Sequence, residues 1–214
     1  RADLGLLHCP EKALREDGHD VQLVQTWSGQ FTTAFSDVQF CISHYDMLLI
    51  LGDRFEILAA ATAAHLQRIP IAHIGGGDVT EGSYDDAMRD CISRMATIHF
   101  ATSFSAAARL VALGYRNVHL VGNPAVDYIM REPWQREREV AEPYVLVSYQ
   151  PETIDDTVDL EAVHAAIRSR KSIWVSSNPD RGSERIPTGE SYSHDRFLNL
   201  MYHCECFIGN SSAA

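Results

Sequence analysis

The chain has 214 residues, 45% of them hydrophobic and 22% charged, which suits a globular protein of one large or two small domains. With 29 acidic and 18 basic residues the formal net charge is −11, so neither the basic footprint of a nucleic-acid binder nor the polybasic patch of a membrane-surface protein is present. No apolar run reaches membrane-spanning length. We therefore expect neither nucleic acid nor membrane as a partner, and an anionic ligand held locally by a few arginines and helix N-termini.

In chain order, residues 6–16 carry apolar side chains at roughly helical spacing, and residues 21–24 read as a short strand. Residues 26–44 show no clear period. The run 46–51 is continuously apolar and ends at Gly52, the pattern of a strand buried on both faces. An Ala-rich helix is predicted over 55–67, a second buried strand over 69–74, a helix over 84–95 and a strand over 98–101. A helix over 105–113 is ended by Gly114, a strand follows over 118–121, and a short helix over 124–130 has Pro124 at its start. Residues 131–142 are charged, with Pro133 near one end and Pro143 just beyond the other, and read as a linker. Alternation then resumes, with strands at 144–149, 172–176 and 206–209, helices at 160–168 and 195–203, and a polar loop at 178–194.

Strands alternating with helices imply parallel sheets covered by helices, in two Rossmann-like lobes assigned to residues 1–135 and 136–214, the second expected to be incomplete. Both termini read as cut within structural elements, so the expectation is a piece of a longer chain or a sequence lacking some internal residues. The five cysteines, Cys9, Cys41, Cys91, Cys204 and Cys206, are odd in number and lack zinc-ligand spacing. Reduced thiols, no metal and a cytoplasmic location are the expectation.

Parallel sheets bind ligands at the carboxyl ends of their strands, and the polar clusters fall there. Gly52-Asp53-Arg54-Phe55-Glu56 follows the first buried run; Asp53 either projects into a crevice or N-caps the next helix. His73-Ile74-Gly75-Gly76-Gly77-Asp78-Val79-Thr80-Glu81-Gly82 follows the second. Its glycines allow close backbone approach to a ligand, but it is neither a dinucleotide fingerprint nor a P-loop. Asp85 and Arg89 stand four apart and share a helix face, as a surface pair or as a crevice pair. Gly209-Asn210-Ser211-Ser212 opens a helix with backbone N–H groups and hydroxyls, a seat for a diphosphate or an ordinary cap. Asn178-Pro179-Asp180-Arg181-Gly182-Ser183 is either a turn or a ribose and phosphate contact.

In this order the clusters resemble the hydrolysing UDP-N-acetylglucosamine 2-epimerases of sialic-acid-type pathways. Arg1-Ala2-Asp3-Leu4-Gly5 is similar to their RADxG loop, Gly52 to Glu56 to GDRFE, and the glycine loop to HIxGGEVTEG. Asp85-Asp86-Ala87-Met88-Arg89 resembles DDAIR, and Val121-Gly122-Asn123-Pro124 resembles VGxP. Gln150-Pro151-Glu152-Thr153 is similar to HPxT, residues 178–183 to NxDxGS, and residues 209–212 to GNSS. Asp78 stands where the family pattern has Glu, and Gln150 where it has His. A glutamine can hydrogen-bond but does not shuttle a proton.

The resemblance implies a glycosyltransferase-B-type fold with ligand in the interlobe cleft, elimination of UDP from UDP-N-acetylglucosamine, and hydration of the glucal to N-acetylmannosamine. It implies Asp53, Asp78, Asp85 and Arg89 as catalytic residues. Arg1, Glu56, His73, Gln150, Asn178, Asp180, Gly209, Asn210, Ser211 and Ser212 are implied as substrate contacts. A UDP-sugar substrate, no cofactor and a homodimer complete the expectation. A non-hydrolysing epimerase or glycosyltransferase of the same fold, or a non-catalytic nucleotide-sugar binder, stand as alternatives.

Overall fold

Short apolar runs bounded by glycines and polar residues become the strands of two parallel sheets. The computed structural model describes residues 2–24, 30–81, 83–132, 134, 136–150, 160–177, 183, 186 and 189–210, the side chains of residues 2–4 excepted. The chain divides into one unit of residues 1–79 and 84–131 and a second of residues 80–83 and 132–214.

In the first unit β1 (Leu48–Leu51), β2 (Ile71–Ile74), β3 (Ile98–Ala101) and β4 (Val118–Leu120) lie side by side in chain order, all parallel. Helices α3 (Phe55–Leu66), α4 (Asp85–Met95) and α5 (Phe104–Ala112) connect them. Helices α1 (Ala2–Glu16) and α2 (Phe31–Ile42) precede the sheet and α6 (Pro124–Arg131) follows it. Every residue of β2 is buried, which explains why its sequence is apolar throughout rather than alternating. In α3 the buried residues are all alanines, whose small side chains leave room for Val38 and Ile42 of α2 and Ile50 and Ile71 of the sheet.

Two elements differ from the sequence-based expectation. Residues 21–24 form no strand: Val24 packs on the core, but none of the four strands takes the segment as a ladder partner. Side chains hold it instead, since Arg15 donates to the Val21 carbonyl and Tyr45 to Gln22. Conversely, part of the stretch without a period forms α2, whose buried Ala34, Val38 and Ile42 are spaced by four. Its Gln30 cap position makes no side-chain bond, and packing on α3 stabilises what local propensity does not.

The second unit has the strand order β6 (Ser172–Trp174), β5 (Val145–Ser148), β7 (Cys206–Gly209), again parallel, with α7 (Glu161–Ile167) and α8 (His194–His203). Central β5 is buried throughout; Leu146 packs with Tyr144 and Leu200, while Val145 and Val147 pack with Ile167, as the two-residue period of a strand requires. The stretch expected to be a linker is docked on α8. Trp134 is buried, Asn199 donates to the Glu137 carbonyl at 2.6 Å, and Arg196 meets Glu139 at 2.9 Å. Among the described residues no helix is long and apolar enough to cross a membrane. None of the five cysteines forms a disulfide.

Candidate active site

The carboxyl ends of the four strands of the first unit open onto a pocket of about 170 Å³, walled on other sides by Leu6 and Pro124. Gly52 has φ +89°, a left-handed conformation that glycine adopts without strain, and the turn it makes brings Asp53 into the lining. The N-cap of α3 is Arg54, without a side-chain cap bond, so Asp53 is not the cap. After β2 the loop delivers Gly75 and Asp78, after β3 comes Thr102, and after β4 comes Asn123. Gly77 has φ +84° and lies so close to α5 that a Cβ there would stand 2.4 Å from the Ala106 carbonyl oxygen. That contact presses the loop against α5 and fixes where Asp78 emerges.

Arg89, on α4, ties the pocket together. Its side chain is only 7% exposed. One terminal nitrogen donates to the Asp53 carboxylate, and the other to Asp86 and, at 2.7 Å, to the Asp78 carbonyl. Arg109 reaches the same carbonyl at 3.2 Å while pairing with Asp90 at 3.0 Å. The Thr102 hydroxyl donates to Asp78 Oδ2 at 2.7 Å. Two carboxylates, Asp53 and Asp86, meet the guanidinium, and the Asp78 carboxylate stands apart on Thr102. Two carboxylates held by separate donors in one pocket are equipped for proton transfer.

His73 lies beneath the pocket rather than in its lining, fully buried. Its Nε2 bonds the Gly52 carbonyl at 2.9 Å and its Nδ1 meets the Ser93 hydroxyl at 3.1 Å. Burial pushes its pKa down from 6.5 to about 4, despite the opposing carbonyl bond, with His99 and Arg89 adding to the fall. His99, its neighbour across β2 and β3, is also lowered by burial. Glu56 sits in the first turn of α3 beside Arg54 at 3.4 Å, and Asp85 opens α4, both outside the pocket lining.

In the second unit Gln150 and Asn210 meet beyond the carboxyl ends of β5 and β7. The Gln150 N–H donates to Asn210 Oδ1 at 3.0 Å, and Asn210 Nδ2 donates to the Gln150 carbonyl at 2.6 Å. This pair continues the β5–β7 ladder through a side chain and holds the two loops in register. Gly209 ends β7. Arg1, Asn178, Asp180, Ser211 and Ser212 lie outside the described residues. Among the described residues no three His, Cys, Asp or Glu side chains cluster as metal ligands.

The structure thus brings Asp53, Asp78 and Arg89 together in one unit and Gln150 with Asn210 in the other. Sequence reasoning quoted Asp86 within a motif without giving it a role, and passed over Ser93, Thr102 and Arg109. Thr102 was findable, since it follows a predicted strand; Arg109 carries no such signal.

A fold of two parallel-sheet α/β units, with an acidic pocket at the strand ends of the first, is of the glycosyltransferase-B type. A family profile described as UDP-N-acetylglucosamine 2-epimerase matches residues 2–214, and the chain belongs to that family. It is 39% identical over 196 residues to the UDP-N,N'-diacetylbacillosamine 2-epimerase (hydrolyzing) of Legionella pneumophila, covering 78% of this chain and 52% of that protein. It is 29% identical over 204 residues to polysialic acid biosynthesis protein P7 of Escherichia coli, covering 81% of this chain and 52% of that one. The chain spans about half the length of the curated relatives it matches. In fold it is similar to the Methanocaldococcus jannaschii UDP-GlcNAc 2-epimerase solved with UDP-GlcNAc and UDP. The TM-score is 0.80 at 16% identity, over 100% of this chain and 77% of that one.

Proposed function

We propose that the protein is a hydrolysing 2-epimerase that converts UDP-N-acetylglucosamine and water to N-acetylmannosamine and UDP. The observation that carries this is the convergence of Asp53 and Asp78 on the strand-end pocket, each held by its own donor. The sugar ring occupies that pocket. One carboxylate takes the C2 proton, the C–H electrons form the C1–C2 double bond, and the C1–O bond breaks with its electron pair leaving on UDP. The base then gives that proton up to solvent; water adds its oxygen to C1 as the same carboxylate takes the proton water sheds, and the protonated partner carboxyl delivers its proton to the opposite face of C2. Atoms balance without a redox partner, and no cofactor is invoked.

In this scheme Asp53 is the base and Asp78 the partner acid. Arg89 orients Asp53, and Asp85 at the head of α4 is retained as a further acid/base group from the family resemblance. Gly209, Asn210, Ser211 and Ser212, with Arg1, Gln150, Asn178 and Asp180, are assigned to the UDP moiety. Glu56 and His73 support the site rather than touch substrate. Cytoplasmic location and a homodimer are parts of the proposal tested by fractionation and light scattering.

A second substrate is favoured by a specific observation. The 39% identical Legionella pneumophila relative is named for UDP-N,N'-diacetylbacillosamine, and Asp78 is shorter than the glutamate of the family motif, leaving more room beside the sugar. The test is product analysis with both UDP-sugars. Free N-acetylmannosamine plus UDP supports the hydrolysing reading, and UDP-N-acetylmannosamine replaces it with a non-hydrolysing epimerase. Turnover of only the diacetylated sugar moves the substrate, and UDP binding with no turnover of either contradicts an enzyme.

A further inference from the structure

With elimination at this pocket as the premise, we propose that His73 is a positioning residue that sets the placement of Asp53 relative to Arg89. The imidazole bonds two different elements. Nε2 stands 2.9 Å from the carbonyl of Gly52, the residue immediately before Asp53. A carbonyl only accepts, so Nε2 carries the proton and donates. Nδ1 is then an acceptor, filled by the Ser93 hydroxyl at 3.1 Å. Ser93 lies four residues beyond Arg89 on α4, on the same face. His73 therefore links the turn that carries the carboxylate to the helix that carries its guanidinium.

The surroundings make the link rigid. His73 and Ser93 are both fully buried, so water does not compete for either bond. Gly76 closes the top: a Cβ there would meet Ser93 Oγ at 2.8 Å and His73 Nδ1 at 3.1 Å. Only a residue without a side chain lets the loop cover the bond so closely. Gly52 adopts φ +89°, so its carbonyl direction has little side-chain restraint of its own and takes its setting from the imidazole. Both ring nitrogens are engaged inside the protein, so His73 acts through Gly52 and Ser93 and not on the sugar.

The experiment has an arm that does not depend on activity. Long-range proton–nitrogen spectra of the histidine-labelled full chain, with His73 assigned by its loss in His73→Gln, are recorded between pH 6 and 8. A neutral ring protonated at Nε2 is expected; an Nδ1–H tautomer or a charged ring at pH 6 overturns the proposal. Gly76→Ala is expected to shift the Nδ1 resonance by displacing the Ser93 hydroxyl, and an unchanged resonance counts against it.

In kinetics with the UDP-sugar, His73→Leu is expected to lose about 100-fold in kcat with KM within about threefold, because misplacing a catalytic group by an ångström costs that much. His73→Gln restores a donor at the Nε2 position and should recover at least about tenfold of the loss. Equal losses in the two variants, or an effect confined to KM, refute a positioning role. If the unaltered protein turns over neither UDP-sugar, the functional reading fails, while the spectra still decide the bonding of His73.

Discussion

Arg89→Met is the perturbation that tests the site's architecture. Methionine keeps much of the aliphatic stem but removes the donors to Asp53, Asp86 and the Asp78 carbonyl. Removing one partner of a buried ion pair costs roughly 3–5 kcal/mol, since the opposite charge stays uncompensated. Here the Asp53 and Asp86 side chains are 19% and 28% exposed, so water relieves part of that cost, and a loss of about 3 kcal/mol is expected. For a chain of this size that corresponds to a fall in Tm of roughly 6–12 °C. Urea unfolding followed by circular dichroism measures it. The paired variant Arg89→Met/Asp53→Asn removes one of the stranded charges and should regain about 1 kcal/mol or more. A single-variant loss below about 0.5 kcal/mol, the value of a surface pair, or no recovery in the double variant would refute the buried-pair reasoning.

Three further outcomes follow from the geometry. Thr102→Val removes the 2.7 Å hydroxyl donor to Asp78 while keeping the shape, and kcat should fall about tenfold with UDP affinity unchanged in calorimetry. Folded His73 titrates near 4 against 6.5 for an ordinary histidine, so between those values the unfolded chain binds a proton that the folded one refuses. Stability therefore falls as pH drops through that window, by up to about 3 kcal/mol from His73, and denaturant titrations of His73→Gln should show a flatter slope. Gly77→Ala forces a left-handed conformation and a 2.4 Å contact with the Ala106 carbonyl, and thermal melting should show a loss of about 3 kcal/mol.

The buried runs and the polar clusters after them were legible because a strand covered on both faces needs unbroken apolar sequence, and its carboxyl end is where the chain turns polar. That logic placed Asp53 and Asp78 at one sheet edge, where the pocket holds them. It did not find α2, because Thr32, Thr33 and Phe35 weaken helix propensity and no cap announces the start; only the spacing of Ala34, Val38 and Ile42 carried the signal. It misassigned residues 21–24, since β-branched composition says nothing about whether a ladder partner exists. The pairing of Arg89 with Asp53, 36 residues away, and the Thr102 bond to Asp78 are tertiary facts that local spacing does not encode. His73 looked like a ligand contact because it opens a glycine loop, yet its place inside β2 turns it toward Gly52 and Ser93.

The central claim is that Asp53 removes a proton from sugar C2. Proton NMR of UDP-N-acetylglucosamine turnover in deuterated water, with Asp53→Asn as control, tests it most directly. The account predicts free N-acetylmannosamine carrying deuterium at C2, formed by the unaltered protein and abolished in the control. Product that keeps its C2 proton, or equal turnover by Asp53→Asn, contradicts it.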